Sequence, residues 1–161
     1  MFRLTYIQPF NGSSMRVLVQ RCGECEVWID SRLYSQTKPG LLLLFGTRVG
    51  DQPESAIWLA DKVVNLRIFE DDQEKMNLSA LDVKAEIMIV SQFTLYADCR
   101  KGRRPSFGEA MDPSKAEKLY DQFVELVADS GLVTRTGQFG ATMDIKFTNH
   151  GPVTIPLEHE L

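Results

Sequence analysis

Histidine is scarce: of 161 residues only His150 and His159 carry an imidazole. His150 lies beside Gly151-Pro152 in a turn-like segment. His159 lies in the C-terminal tail, where chains fray. A histidine-activated nucleophile is therefore hard to assemble. Cysteine is scarce too. Cys22, Cys25 and Cys99 are an odd number, which argues against a disulfide framework. Cys22-Gly23-Glu24-Cys25 has C-x-x-C spacing, but a zinc or redox site needs more ligands or a helix N-terminus. The three read as packing residues or free thiols, and no metal or other cofactor is implied. Long apolar runs are missing. The longest, Leu41 to Phe45, spans five residues, against the roughly 20 that a membrane-crossing helix needs. No basic region, apolar stretch and small-residue cleavage site opens the chain, so secretion is not expected. Arg3, Arg16 and Arg21 precede the first acid, Glu24, a pattern weakly compatible with an organelle transit segment; an ordinary start and a cytoplasmic location are the favoured reading. Positive charge is not in excess either. The net charge of −4 means that any contact with nucleic acid must come from a local basic patch.

What is present is the pattern of one α/β domain. Residues 1–14 read as an extension, with Phe2, Leu4 and Tyr6 allowing a short strand before Pro9, Asn11 and Gly12 break it. Residues 15–161 form the domain proper. Met15 to Arg21 and Cys25 to Ile29 alternate and read as a hairpin turning at Gly23-Glu24. Leu41 to Phe45 reads as a buried strand. Asp51 as N-cap, with Glu54 three residues later, opens a helix over about 52–66. Leu66 to Glu70 and Ile87 to Gln92 read as strands, with a polar connection over 71–82. Asp112 and Pro113 open a second helix, and Gly131 follows its end. Its Glu117, Asp121, Glu125 and Asp129 form an acidic stripe at four-residue spacing, most simply a solvated face. Met143 to Phe147 and Val153 to Leu157 complete the strands. The order β-β-β-α-β-β-α-β-β implies mixed β-sheets, layered and barrel-like, covered by two main helices.

Two stretches carry possible chemistry. Ser91-Gln92-Phe93-Thr94 interrupts the apolar run Ile87 to Val90. A polar strand end can form a binding floor, and backbone N–H groups released from the ladder can face an oxyanion. An ordinary polar strand exit, with Thr94 bonded to backbone, explains the same residues equally well. Arg100-Lys101-Gly102-Arg103-Arg104-Pro105 places four positive charges in five residues. It reads as a solvated loop or as a grip on RNA phosphates.

Ordered blocks along residues 15–157 resemble the D-aminoacyl-tRNA deacylase family. They are Met15-Arg16-Val17 with Gln20-Arg21, Leu66 through Asp71, Lys75 through Ser79, Ser91 through Asp98, Arg100 through Phe107, Thr136-Gly137 with Phe139-Gly140-Ala141, and Asn149 through Thr154. The resemblance implies an ester hydrolase that frees a D-amino acid, or glycine, from tRNA. It implies a homodimer with each site at the interface and Gly151-Pro152 cis, reaching into the partner's pocket. There their carbonyls hold the substrate's α-amino group and leave no room for an L side chain. Gln92, Phe93 and Thr94 are the catalytic candidates. Phe93 and Thr94 N–H groups would polarise the ester, while Thr94 is a positioner or, alternatively, the nucleophile; with no convincing base beside it, positioner is favoured. Ser91, Asn149, Gly151 and Pro152 would hold substrate. Phe139 and Met143 would line the pocket, although core packing explains both nearly as well. Arg100, Lys101, Arg103 and Arg104 would meet tRNA phosphates. The competing reading is an RNA-binding module of this fold without turnover; the presence of both polar segments argues against it.

Overall fold

The structure is a computed structural model that describes residues 14–161. The short strand expected around Phe2, Leu4 and Tyr6 lies outside the described residues. β1 (Ser14–Ile29) is one continuous strand. Met15, Val17 and Val19 alternate onto its buried face, as the two-residue period of a strand requires. The hairpin turn expected at Gly23-Glu24 does not form: the chain stays extended through Cys22 and Cys25, which both lie buried in β1. It turns instead at Asp30-Ser31, where φ is 49° and 60°. Two successive left-handed residues match a type I′ hairpin loop. They lead into β2 (Arg32–Thr37), a strand whose mostly exposed side chains offer no apolar alternation to read.

β3 (Gly40–Gly46) pairs antiparallel with β1. Leu41, Leu43 and Phe45 face the helices, whereas Leu42 and Leu44 pack with Cys22, Cys25, Val27, Met88 and Val90. A strand buried on both faces reads as an unbroken apolar run. α1 (Pro53–Asn65) buries Ala56, Leu59, Ala60 and Val63. Its N-cap is Gln52, not Asp51, and the expected capping box is not made. Asp51 is instead buried, and its Oδ2 accepts the Arg48 backbone N–H at 2.6 Å. The stretch expected as a plain connection holds β5 (Met76–Leu78), paired with β4 (Phe69–Glu70), and α2 (Ala80–Val83), which Ser79 and Asp82 close with a reciprocal capping box.

β6 (Glu86–Ser91) runs parallel to β3 and leads into a single 3-10 turn, Phe93–Tyr96. α3 (Pro113–Ala128) starts where the sequence indicates, with Asp112 Oδ1 accepting from the Ser114 backbone N–H at 3.1 Å. It buries Leu119, Tyr120, Phe123 and Val127, and Phe123 stacks on Phe45 at 4.5 Å. The acidic stripe is exposed, as expected. β7 (Thr134–Thr136) adds a parallel partner to β6. β8 (Asp144–Glu160) is one strand where two were expected, antiparallel to both halves of β1. The result is a mixed sheet ordered β2-β1-β3-β6-β7, with β8 on β1. It curls into the expected barrel-like form under two main helices, with α2 as a short third.

Candidate active site

At the C-terminal end of β6 a cavity of about 590 Å³ opens between the sheet and the start of α3. Ser91, Gln92, Phe93, Phe139 and Met143, five residues singled out from the sequence, all line it. The ladder explains its position. β6 follows β3 as far as the bond from Gln92 N–H to the Phe45 carbonyl, at 2.7 Å. The chain then leaves the sheet as the 3-10 turn, and the backbone N–H groups of Phe93 and Thr94 have no backbone acceptor among the described residues. The first donors of any helical turn are left over in this way. Phe93 is 56% exposed at the rim.

Thr94 is exposed beside this opening. Its Oγ1 accepts a hydrogen bond from the Gln92 amide. An amide nitrogen cannot take the hydroxyl proton. Neither histidine lines the cavity. His159 is not a frayed end: it lies within β8, stacks on Trp58 at 4.6 Å, and places Nδ1 3.0 Å from Ser55 Oγ. His150 is exposed. Cys22 and Cys25 are buried against each other in β1, and the hydrogen bond to Cys22, then burial, push the Cys25 thiol far above the ordinary thiol range. Among the described residues no group of three or more His, Cys, Asp or Glu side chains is placed to hold a metal ion.

The second segment lies elsewhere. Asn149 Nδ2 donates to Thr154 Oγ1 at 2.7 Å, and Asn149 Oδ1 accepts the Val153 N–H at 2.8 Å, bracketing a protruding bend. At its apex Gly151 and Pro152 are exposed and joined by a cis peptide. No residue of 149–154 is among those lining the cavity. A residue that sequence reasoning passed over anchors the bend. Arg21, only 5% exposed, donates through Nε to the His150 carbonyl at 3.0 Å and through Nη1 to the Ile68 carbonyl at 2.8 Å, with Glu70 at 3.6 Å. Its signal was in the strand pattern: Arg21 continues the inward parity of Met15, Val17 and Val19. Tyr120, Phe107 and Gly46 were passed over as well, though all three line the cavity. Tyr120 fixes the back wall through its hydroxyl, donated to the Ile89 carbonyl at 2.9 Å. Phe107 meets Phe93 edge-on at 5.0 Å.

The basic loop is a closed one. Asp98 and Ser106 exchange backbone bonds of 2.7 and 2.9 Å across its neck. Arg100 folds back onto Asp98, giving its backbone N–H, Nε and Nη2 to the carboxylate at 3.0, 2.8 and 2.6 Å. Those bonds hold the Asp98 carboxyl well below the usual carboxylate range. Lys101, Arg103 and Arg104 are left on the exposed crest.

Residues 18–158 match the family described as D-Tyr-tRNA(Tyr) deacylase. Proteins called D-aminoacyl-tRNA deacylase are similar throughout. The one from Listeria monocytogenes serotype 4a is 51% identical over 91% of this chain and 97% of its own length. The one from Thermomicrobium roseum is 54% identical over 89% and 94%. Among solved structures, one titled c-Myc DNA Unwinding Element Binding Protein superposes with a TM-score of 0.85 at 35% identity, over 91% of this chain and all of that one. A probable eukaryotic D-amino acid tRNA deacylase superposes at 0.79 with 17% identity, over 91% of this chain and all of that one, a likeness of fold.

Proposed function

Because this chain belongs to the D-Tyr-tRNA(Tyr) deacylase family and hydrolyses the ester between a D-amino acid and tRNA, we propose that two subunits of a homodimer divide the work of each site. The carrying observation is that the cavity and the 149–154 bend are separate within one chain. In this reading the cavity of one protomer holds the ester. Phe93 and Thr94 N–H groups donate to the ester oxygen as it gains charge; one such donor is typically worth about 10²–10³ in rate. Ser91 and Gln92 orient the ester or the terminal ribose. Phe139, Met143 and the ring of Phe93 pack the pocket or the terminal adenine. Water attacks the carbonyl, with the neighbouring ribose hydroxyl orienting it, and the water's proton ends on the departing ribose oxygen. The acyl–oxygen bond breaks, and the free amino acid and tRNA leave. Thr94 positions this arrangement through Gln92 and does not attack.

Asn149 holds the bend whose Gly151 and Pro152 carbonyls reach the partner's cavity and take the substrate's α-amino group. Glycine, which has no side chain to exclude, is accepted by the same geometry and is proposed as a second substrate. Lys101, Arg103 and Arg104 meet tRNA phosphates, and Arg100 shapes their loop through Asp98. The reaction is placed in the cytoplasm, where charged tRNA is used.

The test mixes two inactive variants, one altered at Gln92 and Phe93, the other at Gly151. If sites are shared across the dimer, random reassociation restores roughly a quarter of wild-type deacylation, because half the dimers regain one intact site. No recovery from refolded mixtures would put both segments in one chain's site. Parallel assays on D-Tyr-tRNA, L-Tyr-tRNA and Gly-tRNA read chirality and the glycine proposal.

A further inference from the structure

The turn that carries Thr94 is a poor structure by itself. It is four residues long, and of its flanking bonds the one from Leu95 N–H to the Gln92 carbonyl, at 3.3 Å, is long, while that from Ala97 N–H to the Thr94 carbonyl, at 3.1 Å, is ordinary. Short 3-10 turns have weak hydrogen-bond geometry. Something outside the turn must therefore aim its N–H groups. Three contacts brace it: Gly46 at the cavity wall, and Tyr96 and Arg16, which are not among the residues lining the cavity. Gly46 passes so close that a Cβ there would lie 2.9 Å from the Gln92 carbonyl oxygen and 3.0 Å from the Tyr96 ring. The buried Tyr96 hydroxyl lies 2.5 Å from the Ser14 carbonyl and 3.1 Å from that of Gly46. Arg16 is the third. Its Nη1 donates to the Leu95 carbonyl at 2.8 Å, and its guanidinium lies 4.8 Å from the centre of the Tyr96 ring.

Resting on the reading that the Ser91–Thr94 segment handles the ester, we propose that Arg16 is a positioning residue for deacylation, which sets the orientation of the Phe93–Tyr96 turn through its bond to the Leu95 carbonyl. Arg16 is placed for this by register. On β1 it stands opposite Gly46 of β3 on one side and Glu158 of β8 on the other. Its Nε lies 3.2 Å from Glu158 Oε1, an ion pair without hydrogen-bond alignment. The side chain thus links three elements: the central strand, the C-terminal strand and the catalytic turn. A planar guanidinium can bond a carbonyl, pair with a carboxylate and stack on a phenol ring at once, which an ammonium cannot. Misplacing reacting groups by about 1 Å costs on the order of 10²-fold in rate. Loss of Arg16 therefore acts on the chemical step and not on RNA affinity.

The test is steady-state and single-turnover deacylation of D-Tyr-tRNA by Arg16→Met, Arg16→Lys and Tyr96→Phe, with Gln92→Ala alongside. Arg16→Met is expected to lower kcat by about 10–100-fold while KM stays within about threefold. Arg16→Lys, which keeps the carbonyl bond but not the stack and fork, recovers part of the loss. Tyr96→Phe, which removes a second tether, lowers kcat in the same way. Wild-type kcat in a folded Arg16→Met protein overturns the proposal, as does a change confined to KM whose size varies with salt, which would make Arg16 a phosphate contact. If Arg16→Met does not fold, Arg16→Lys decides: full wild-type kcat with a lowered Tm assigns Arg16 a structural role alone. Gln92→Ala separates the two levels. If it leaves turnover unchanged, the reading of the segment fails; if it lowers turnover while the Arg16 variants do not, only the positioning role fails.

Discussion

Arg21 donates its Nε–H to the carbonyl of His150 over 3.0 Å, tying the buried face of β1 to the residue that precedes Gly151. The arrangement leaves no space at Gly151. A Cβ there would stand 2.8 Å from Arg21 Nη2 and 2.9 Å from Val153 Cγ2, and φ is 129°, a conformation that L side chains rarely adopt. The bend is thus held by an arginine that tolerates only glycine beside it.

Gly151→Ala should therefore act twice. Backbone strain of this kind costs roughly 1–3 kcal/mol, so the denaturation midpoint falls. The Arg21 guanidinium must also move, and the bend shifts with it. Deacylation of D-Tyr-tRNA is expected to drop by at least about tenfold, equivalent to about 1.4 kcal/mol of transition-state stabilisation. An alanine variant with unchanged midpoint and unchanged turnover would show that the close approach has no consequence.

Thr94→Ala should be mild by comparison. The hydroxyl accepts from Gln92, and one such bond is worth about 0.5–1.5 kcal/mol net. Turnover of D-Tyr-tRNA is expected to fall by roughly 2–10-fold. A loss greater than roughly a thousandfold at unchanged KM would make Thr94 the nucleophile.

The position of the candidate site in the fold was legible where its residues break local patterns. Ser91 to Thr94 interrupt an apolar run, and the interruption marks where β6 leaves the ladder. Asp112-Pro113 announces α3 in purely local chemistry. The misread features depend on distant partners. Asp51 has the chemistry of a cap, yet Arg48 recruits it one residue too early and Pro53 opens the helix instead. Gly23 looks like a turn, but β8 pairs on both sides of it and keeps β1 extended. Arg21 and Tyr120 work through backbone carbonyls remote in sequence, and no spacing rule reveals such acceptors. The separation of the 149–154 bend from the cavity is likewise a property of the folded chain.

The crest of the basic loop makes a prediction that distinguishes its four cations. Lys101, Arg103 and Arg104 are exposed on the crest, whereas Arg100 is engaged by Asp98. Each phosphate contact on single-stranded nucleic acid contributes about 0.7 to the slope of log affinity against log salt. Replacing the three crest residues by alanine is expected to flatten that slope for tRNA by about 2. Arg100→Ala alone should leave the slope nearly unchanged and alter binding at all salt concentrations alike. Equal slopes for wild type and the triple variant, measured by filter binding, would remove the crest from the RNA contact.

Asp51 gives a pH dependence with a definite sign. Burial pushes its carboxyl up from 3.8 to about 6, against the pull of the Arg48 backbone N–H and of the Arg48 and Arg16 charges, and its Oδ1 has no hydrogen-bond partner among the described residues. A carboxyl whose folded pKa is raised favours folding when protonated. That contribution is complete below pH 3.8 and is lost as pH rises through about 6. Asp51→Asn keeps an oxygen for the Arg48 N–H and cannot ionise. Relative to wild type, its unfolding free energy should therefore rise between about pH 4 and pH 7 by up to roughly 3 kcal/mol, and stay level above that. Urea unfolding at several pH values reads the difference directly. A gap between the two proteins that is independent of pH would mean that Arg48 and Arg16 offset the cost of burying the Asp51 carboxylate, and one that closes as pH rises would mean that they exceed it.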